Sequence, residues 1–151
     1  MSTDIVEIGD KTALVCDDGP ATDALKSTLE ELGFKSHTAE TPERAIERMK
    51  YTPYDLIIIS DNFGGTTLAT NPVLNYLAPL PMAQRRNNFV VLIGDSFRTL
   101  DAMQAYTQSV HLVVNPTDLT NMGPILKKSL ADFEVFYRVY RSVLVETGEL
   151  A

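Results

Sequence analysis

Basic residues, cysteine and long apolar runs are all scarce in this chain, and each scarcity closes a class of function. Only 13 of 151 residues are Lys or Arg against 20 Asp or Glu, a formal net charge of −7 with a sequence pI near 4.7. No basic face is available for phosphate backbones, and Gln84-Arg85-Arg86 is too small a cluster to supply one, so nucleic acid is not an expected partner. The single cysteine, Cys16, excludes an intrachain disulfide. Its setting in Ala13-Leu14-Val15-Cys16 predicts a small buried core residue, with no neighbour that would activate a thiol. No apolar run approaches the ~18 residues that cross a bilayer, so no membrane association is expected. The opening Met1-Ser2-Thr3-Asp4 has neither the basic nor the apolar region of a secretory signal, and a cytoplasmic location is the expectation. What is present, 44% apolar and 22% charged residues, suits one globular domain with a conventional core.

The chain is organised around Tyr54-Asp55-Leu56-Ile57-Ile58-Ile59-Ser60-Asp61-Asn62-Phe63-Gly64-Gly65, an apolar run that breaks into polar residues and two glycines. Consecutive apolar residues without alternation predict a strand covered on both faces, as in a parallel sheet between helices. Such sheets carry their functional groups at the carboxyl ends of the strands. Residues 1–10 read as an N-terminal tail. Thr12 to Cys16 is a strand, Asp17-Asp18-Gly19-Pro20 a turn, and a helix to about Leu32 buries Ala21, Ala24, Leu25, Leu29 and Leu32 before Gly33. Phe34 to Ala39 is a more polar strand suited to an edge, and Thr41-Pro42-Glu43 caps a helix that turns Ala45, Ile46 and Met49 inward. Helices over about 71–77 and 99–107 and strands over 89–93 and 110–114 complete the alternation. Asn115-Pro116-Thr117-Asp118 is a turn whose X-Pro bond is one where a cis peptide is accessible. Five strands alternating with helices predict a doubly wound α/β domain with right-handed crossovers.

The last helix is predicted from near Asn121, with Pro124 in its first turn, to about Thr147, and ~24 residues of it at ~1.5 Å per residue extend about 36 Å, longer than a small sheet is deep. Leu126, Leu130, Phe133, Tyr137, Tyr140 and Leu144 recur at heptad spacing, and Phe136, Val139 and Val143 widen that face. One reading folds the second half against its own domain. The favoured one gives it to another chain, because aromatics left in water on an acidic surface would form an unusual patch. Phe133, Phe136, Tyr137, Tyr140 and Leu144 are then the interface residues.

Leu14-Val15-Cys16-Asp17-Asp18, Tyr54-Asp55-Leu56-Ile57-Ile58-Ile59 and Val113-Val114-Asn115-Pro116, in that order of elements, resemble the receiver domain of response regulators over about residues 11 to 131. The resemblance implies a flavodoxin-like, receiver-like five-stranded parallel sheet of order 2-1-3-4-5, here with an extended C-terminal helix over 132–151. The order is known for the chemotaxis receiver and is carried over, not read from these residues. Receivers place an acidic pair after strand one to hold Mg²⁺, a phosphoacceptor aspartate at the end of strand three, a Thr or Ser after strand four and Lys-Pro after strand five. Asp17 and Asp18 match the acidic pair and Pro116 the proline. Ser60 falls on the phosphoacceptor position, Gly94 on the hydroxyl and Asn115 on the lysine, with Gly64-Gly65 where receivers usually have Pro-Gly.

A serine phosphate is an ordinary ester, far less labile than an acyl phosphate, and asparagine cannot neutralise a phosphoryl group. The expected function is therefore that of a degenerate, or pseudo-, receiver: a non-enzymatic module of two-component, phosphorelay-type signalling that acts by protein contact, with a protein partner or with itself as a homodimer through the last helix. No catalytic residue and no resident cofactor is expected. The alternative is a phosphorylatable or Mg²⁺-binding receiver using Asp61, which stands one residue late and should face the other way unless a bulge re-aims it. Asp17, Asp18, Asp61 and Asp95 together could hold a hard divalent cation through oxygen, with Asp17 and Asp18 as the metal pair. Equally, they could cap turns and remain solvated. His37 and His111 have no ligand partner at metal spacing, and no catalytic triad is discernible. A small-ligand sensor using the strand-end crevice is a further reading, without a Gly-rich phosphate fingerprint to support it.

Overall fold

The structure is a computed structural model that describes residues 11–80 and 88–146, with side chains described up to residue 134. The N-terminal tail, Gln84-Arg85-Arg86 and the side chains of Phe136, Tyr137, Tyr140 and Leu144 lie outside the described residues. In chain order the elements are β1 Lys11–Cys16, α1 Thr22–Glu31, β2 Phe34–Thr38, α2 Pro42–Tyr51, β3 Leu56–Ser60, a 3₁₀ turn Phe63–Gly65, α3 Pro72–Leu77, β4 Phe89–Ile93, α4 Ala102–Thr107, β5 Leu112–Val114, a 3₁₀ turn Pro116–Asn121 and α5 Met122–Glu146. All strand pairs are parallel, in the order β2-β1-β3-β4-β5. The doubly wound, flavodoxin-like sheet and its extended last helix are thus as expected.

β3 is central, with Cys16 opposite Ile59 on one side and Ser60 opposite Ile93 on the other. Every residue of β3 and β4 is buried. Alternate side chains feed two cores, as the pleat requires. Leu14, Cys16, Ile57, Ile59, Val90 and Leu92 meet Tyr54, Phe63 and the helices α2, α3 and α4. Ala13, Val15, Leu56, Ile58, Val91 and Ile93 meet α1 and α5 through Leu25, Leu29, Met122 and Leu126. Cys16 is fully buried, as its neighbours predict, and burial pushes its thiol well above the ordinary value, with the Asp17 charge adding to the effect.

Local chemistry sets the boundaries. Thr41 accepts from the Arg44 amide with Pro42 following, which starts α2 as expected. Asn71 accepts from the Val73 and Leu74 amides and so starts α3. α4 begins at Ala102, not Thr99. The Leu100 N–H is held by Val113 O, its φ is +68°, and Asp101 then caps the helix by accepting from the Gln104 amide. β5 begins at Leu112, not Val110, because the Val110 N–H turns back to Ala105 O. Ala24 is exposed and Ala21, Ile46 and Met49 only half-buried, so the apolar stripes of α1 and α2 are narrower than their spacing predicts. His37 is buried, its Nδ1 2.8 Å from the Tyr54 hydroxyl. The described residues contain no cis peptide bond, so Asn115-Pro116 is trans: Asn115 is extended, its Oδ1 accepts from the Thr117 N–H, and Pro116 starts the 3₁₀ turn. No helix among the described residues is long and apolar enough to cross a membrane.

Candidate functional site

The carboxyl ends of β1, β3 and β4 and the turn after β5 enclose a cleft of about 330 Å³ that brings Asp17, Ser60, Asp61, Gly94, Asp95 and Pro116 together. Among the described residues that line it there is no Lys or Arg. Ser60, in phase with Leu56 and Ile58, is 7% exposed, and its hydroxyl donates to Asp17 Oδ1 at 2.9 Å. The same oxygen accepts from the Gly19 N–H at 3.1 Å, and the Thr22 hydroxyl donates to Asp17 O at 2.9 Å. Asp18 faces elsewhere: its Oδ2 accepts from the Gly64 N–H at 3.1 Å. That amide is presented by a backbone at φ +72°, where Gly is tolerated and a Cβ would strike the Pro42 ring at 2.7 Å.

Asp61 continues the ladder, its N–H donating to Ile93 O, and the side chain of Asn71 donates to both Ser60 O and Asp61 O. No bulge intervenes, so Asp61 turns away from the Ser60–Asp17 pair and lies over the end of β4. A Cβ on Gly94 would stand 2.7 Å from Asp61 Oδ2 and 2.8 Å from the Phe97 ring. A side chain at 94 would therefore have to displace the Asp61 carboxylate and the Phe97 ring. Burial raises the Asp61 carboxyl above the ordinary aspartate value, the Asp95 charge adds to this, and the Asn62 amide opposes it.

Asn115, which the resemblance sets at the receiver lysine's position, is a connector in this structure. Its side-chain NH₂ donates to Phe97 O at 2.9 Å and Asp95 O at 3.2 Å, while its Oδ1 accepts from the Thr117 N–H and hydroxyl. Its backbone N–H donates to Thr99 Oγ1, whose hydroxyl donates to Asp118. Asn71, Phe97 and Thr99 were not singled out by sequence reasoning. Asn71 had a signal, Asn followed by Pro at a helix start, but nothing in the chain indicates that its amide reaches back to β3.

Mg²⁺ would need oxygen ligands that converge. Asp17 and Asp18 are each bound to turn amides and separately aimed, and Asp61 faces β4. Among the described residues no group of three or more His, Cys, Asp or Glu side chains is placed to hold a metal ion.

Comparison with solved structures returns receiver domains. A response regulator from Thermotoga maritima is 17% identical, with a TM-score of 0.60 over 81% of this chain and 98% of that one. A CheY-like receiver domain protein from Methanospirillum hungatei is 14% identical, with a TM-score of 0.63 over 83% of this chain and 98% of that one. NtrX from Brucella abortus, solved with ADP, is 18% identical with a TM-score of 0.66 over 92% of this chain, which spans only 30% of that protein. No family model and no curated protein sequence matches. The chain therefore has the fold of a response-regulator receiver domain, and its chemistry has to be argued from its own residues.

Two expectations follow. Gly94→Ser, which puts a hydroxyl where the resemblance expects one, forces aside the buried Phe97 ring and Asp61, and should cost about 1–3 kcal/mol in urea unfolding. Asp61→Asn should slightly stabilise the protein at neutral pH. The raised carboxyl favours the folded state while protonated, and that contribution is lost as pH rises through the folded value. The gain should therefore disappear below the ordinary aspartate pKa of about 3.9, which unfolding curves across pH will test.

Proposed function

We propose that this chain is a receiver-like signalling module that acts through protein contacts, without enzymatic activity and without the phosphoacceptor chemistry associated with its fold. The observation that carries the reading is the Ser60–Asp17 hydrogen bond. The phosphoacceptor position holds a hydroxyl, and one oxygen of the carboxylate that would help bind Mg²⁺ accepts a hydrogen bond from it. A phosphoryl group arriving there would also find Asn115 committed to Asp95 O and Phe97 O in place of a cation. The runner-up, Mg²⁺-dependent phosphorylation of Asp61, requires that carboxylate to leave its place over Gly94 and approach Asp17. Incubation with acetyl phosphate, or with beryllofluoride, and Mg²⁺ should leave intact mass and spectra unchanged. An adduct that is lost in Asp61→Asn would establish the runner-up.

Contact is assigned to α5. Its 25 residues extend about 37 Å, against roughly 17 Å for a five-residue strand. Met122 and Leu126 are buried in the domain and Phe133 packs on Phe89 and His111, so the helix serves its own core to about that point. Phe133, expected among the interface residues, is partly buried against its own domain, and the rest of the extension over 132–151, with Phe136, Tyr137, Tyr140 and Leu144 at heptad spacing in the sequence, offers itself to a protein partner or to a second copy. The full chain should sediment as a dimer, and Tyr137→Glu with Tyr140→Glu should make it a monomer without altering far-UV dichroism. A wild-type monomer would exclude self-association and leave a different protein as the partner.

A further inference from the structure

The ladder between β4 and β5 closes on a side chain. The Val90 N–H would ordinarily meet a carbonyl of the neighbouring strand, but β5 proper starts only at Leu112, and the preceding segment is drawn away where Val110 N–H donates to Ala105 O and Ser109 adopts a φ of +58°. His111 completes both bonds. Its backbone N–H donates to Val90 O at 2.9 Å, and its Nδ1 accepts from the Val90 N–H at 2.9 Å. Val90 is fully buried, so water cannot take the place of that acceptor. An imidazole nitrogen that accepts from an amide carries no proton, which fixes the ring as neutral with its hydrogen on Nε2.

The same ring seats the last helix. It stacks on Phe89 at 5.1 Å and 23°, and Phe133 of α5 meets it edge-on at 5.0 Å and Phe89 at 5.2 Å. Charged groups stand on both sides of this trio. Asp101, before α4, and Asp132, on α5, are the acidic residues that line one cleft with His111. Lys11 of β1, Asp55 before β3, and Lys127 and Glu134 of α5 line the cleft on the other side of Phe89 and Phe133, with charges that offset one another. The Val90 amide opposes the proton directly, since a protonated Nδ1 sets donor against donor in a space without water.

We infer that His111 is an acid-operated clasp: the neutral imidazole closes the β4–β5 ladder and holds Phe133, and protonation expels the ring and releases α5 at Phe133, while Met122 and Leu126 keep the start of the helix in the core. At His37, by contrast, Nδ1 meets the Tyr54 hydroxyl, which can either donate or accept. The clasp rests on these contacts alone; its use as a control on partner binding rests on the contact role proposed for α5.

The test is nuclear magnetic resonance on the full chain with ¹⁵N-labelled histidine rings, titrated from about pH 7.5 to about pH 5. At the upper pH, His111 Nδ1 should be unprotonated and scalar-coupled to the Val90 amide. On acidification the coupling should vanish, the exchange protection of Val90 should fall about 10- to 100-fold, the expected consequence of a buried amide losing its acceptor, and the Phe89–Phe133 ring contacts should disappear. The amides of Leu14 and Ile58 should keep their protection. His111→Gln retains an acceptor but binds no proton, so the step should be absent from it. If that variant does not fold, the wild-type titration decides alone. A proton on Nδ1 at the upper pH, a Val90 amide indifferent to the titration of His111, or a loss of protection shared with Leu14 and Ile58 would overturn the inference. None of these readouts depends on dimerisation or phosphorylation.

Discussion

Strand β3 is hydrogen-bonded along both edges and covered on both faces, so neither Ser60 nor Asp61 can change the side to which it points without breaking a ladder on which the whole sheet depends. A one-residue slip would carry Ile57, Ile58 and Ile59 into the wrong cores. Asp61 N–H is bonded to Ile93 O and both carbonyls at the strand's end are taken by Asn71, which leaves no slack for a bulge. Residue 60 therefore meets Asp17, residue 61 lies over β4, and the chemistry open to the cleft is set by that phase.

The three departures from the receiver pattern fit one another. A carboxylate at 60 would have stood against Asp17, a like-charge contact that a bound cation would have to offset; a hydroxyl there donates to Asp17. The absence of a side chain at 94 leaves room for the Asp61 carboxylate and the Phe97 ring. Asparagine at 115, unlike lysine, both donates and accepts, and so ties Asp95 and Phe97 to the turn at Thr117. Each replacement is satisfied by neighbours that the others leave in place. Ser60, Asp17 and Asn115 at the polar end are consequently engaged with their surroundings by hydrogen bonds.

Much of this was legible in the chain. Unalternated apolar runs at 56–59 and 89–93, bounded by turn residues, suit strands buried on both faces, and the position of Ser60 at the end of such a strand follows from counting along the chain from Asp55. Helix starts at Pro42 and Pro72 follow from Thr41 and Asn71 as caps. The segment from Thr99 to His111 was read less well, because its helix is delayed by Leu100 and its strand shortened by Val110, and both are held by hydrogen bonds to other elements. Periodicity has no means of registering such bonds.

The sequence by itself determined the order of elements, the two-faced burial of the central strands and the identity of the residue at each strand end, since these depend on side-chain type and on the fixed two-residue period of a strand. Only the tertiary structure decided which of those end residues meet. That Asp61 fills the space over Gly94, that Asn71 holds the end of β3, and that His111 stands in for a backbone carbonyl beside Phe133 are matters of distance between segments far apart in the chain. Local pattern carries no information about such distances, because they are fixed by how the layers pack.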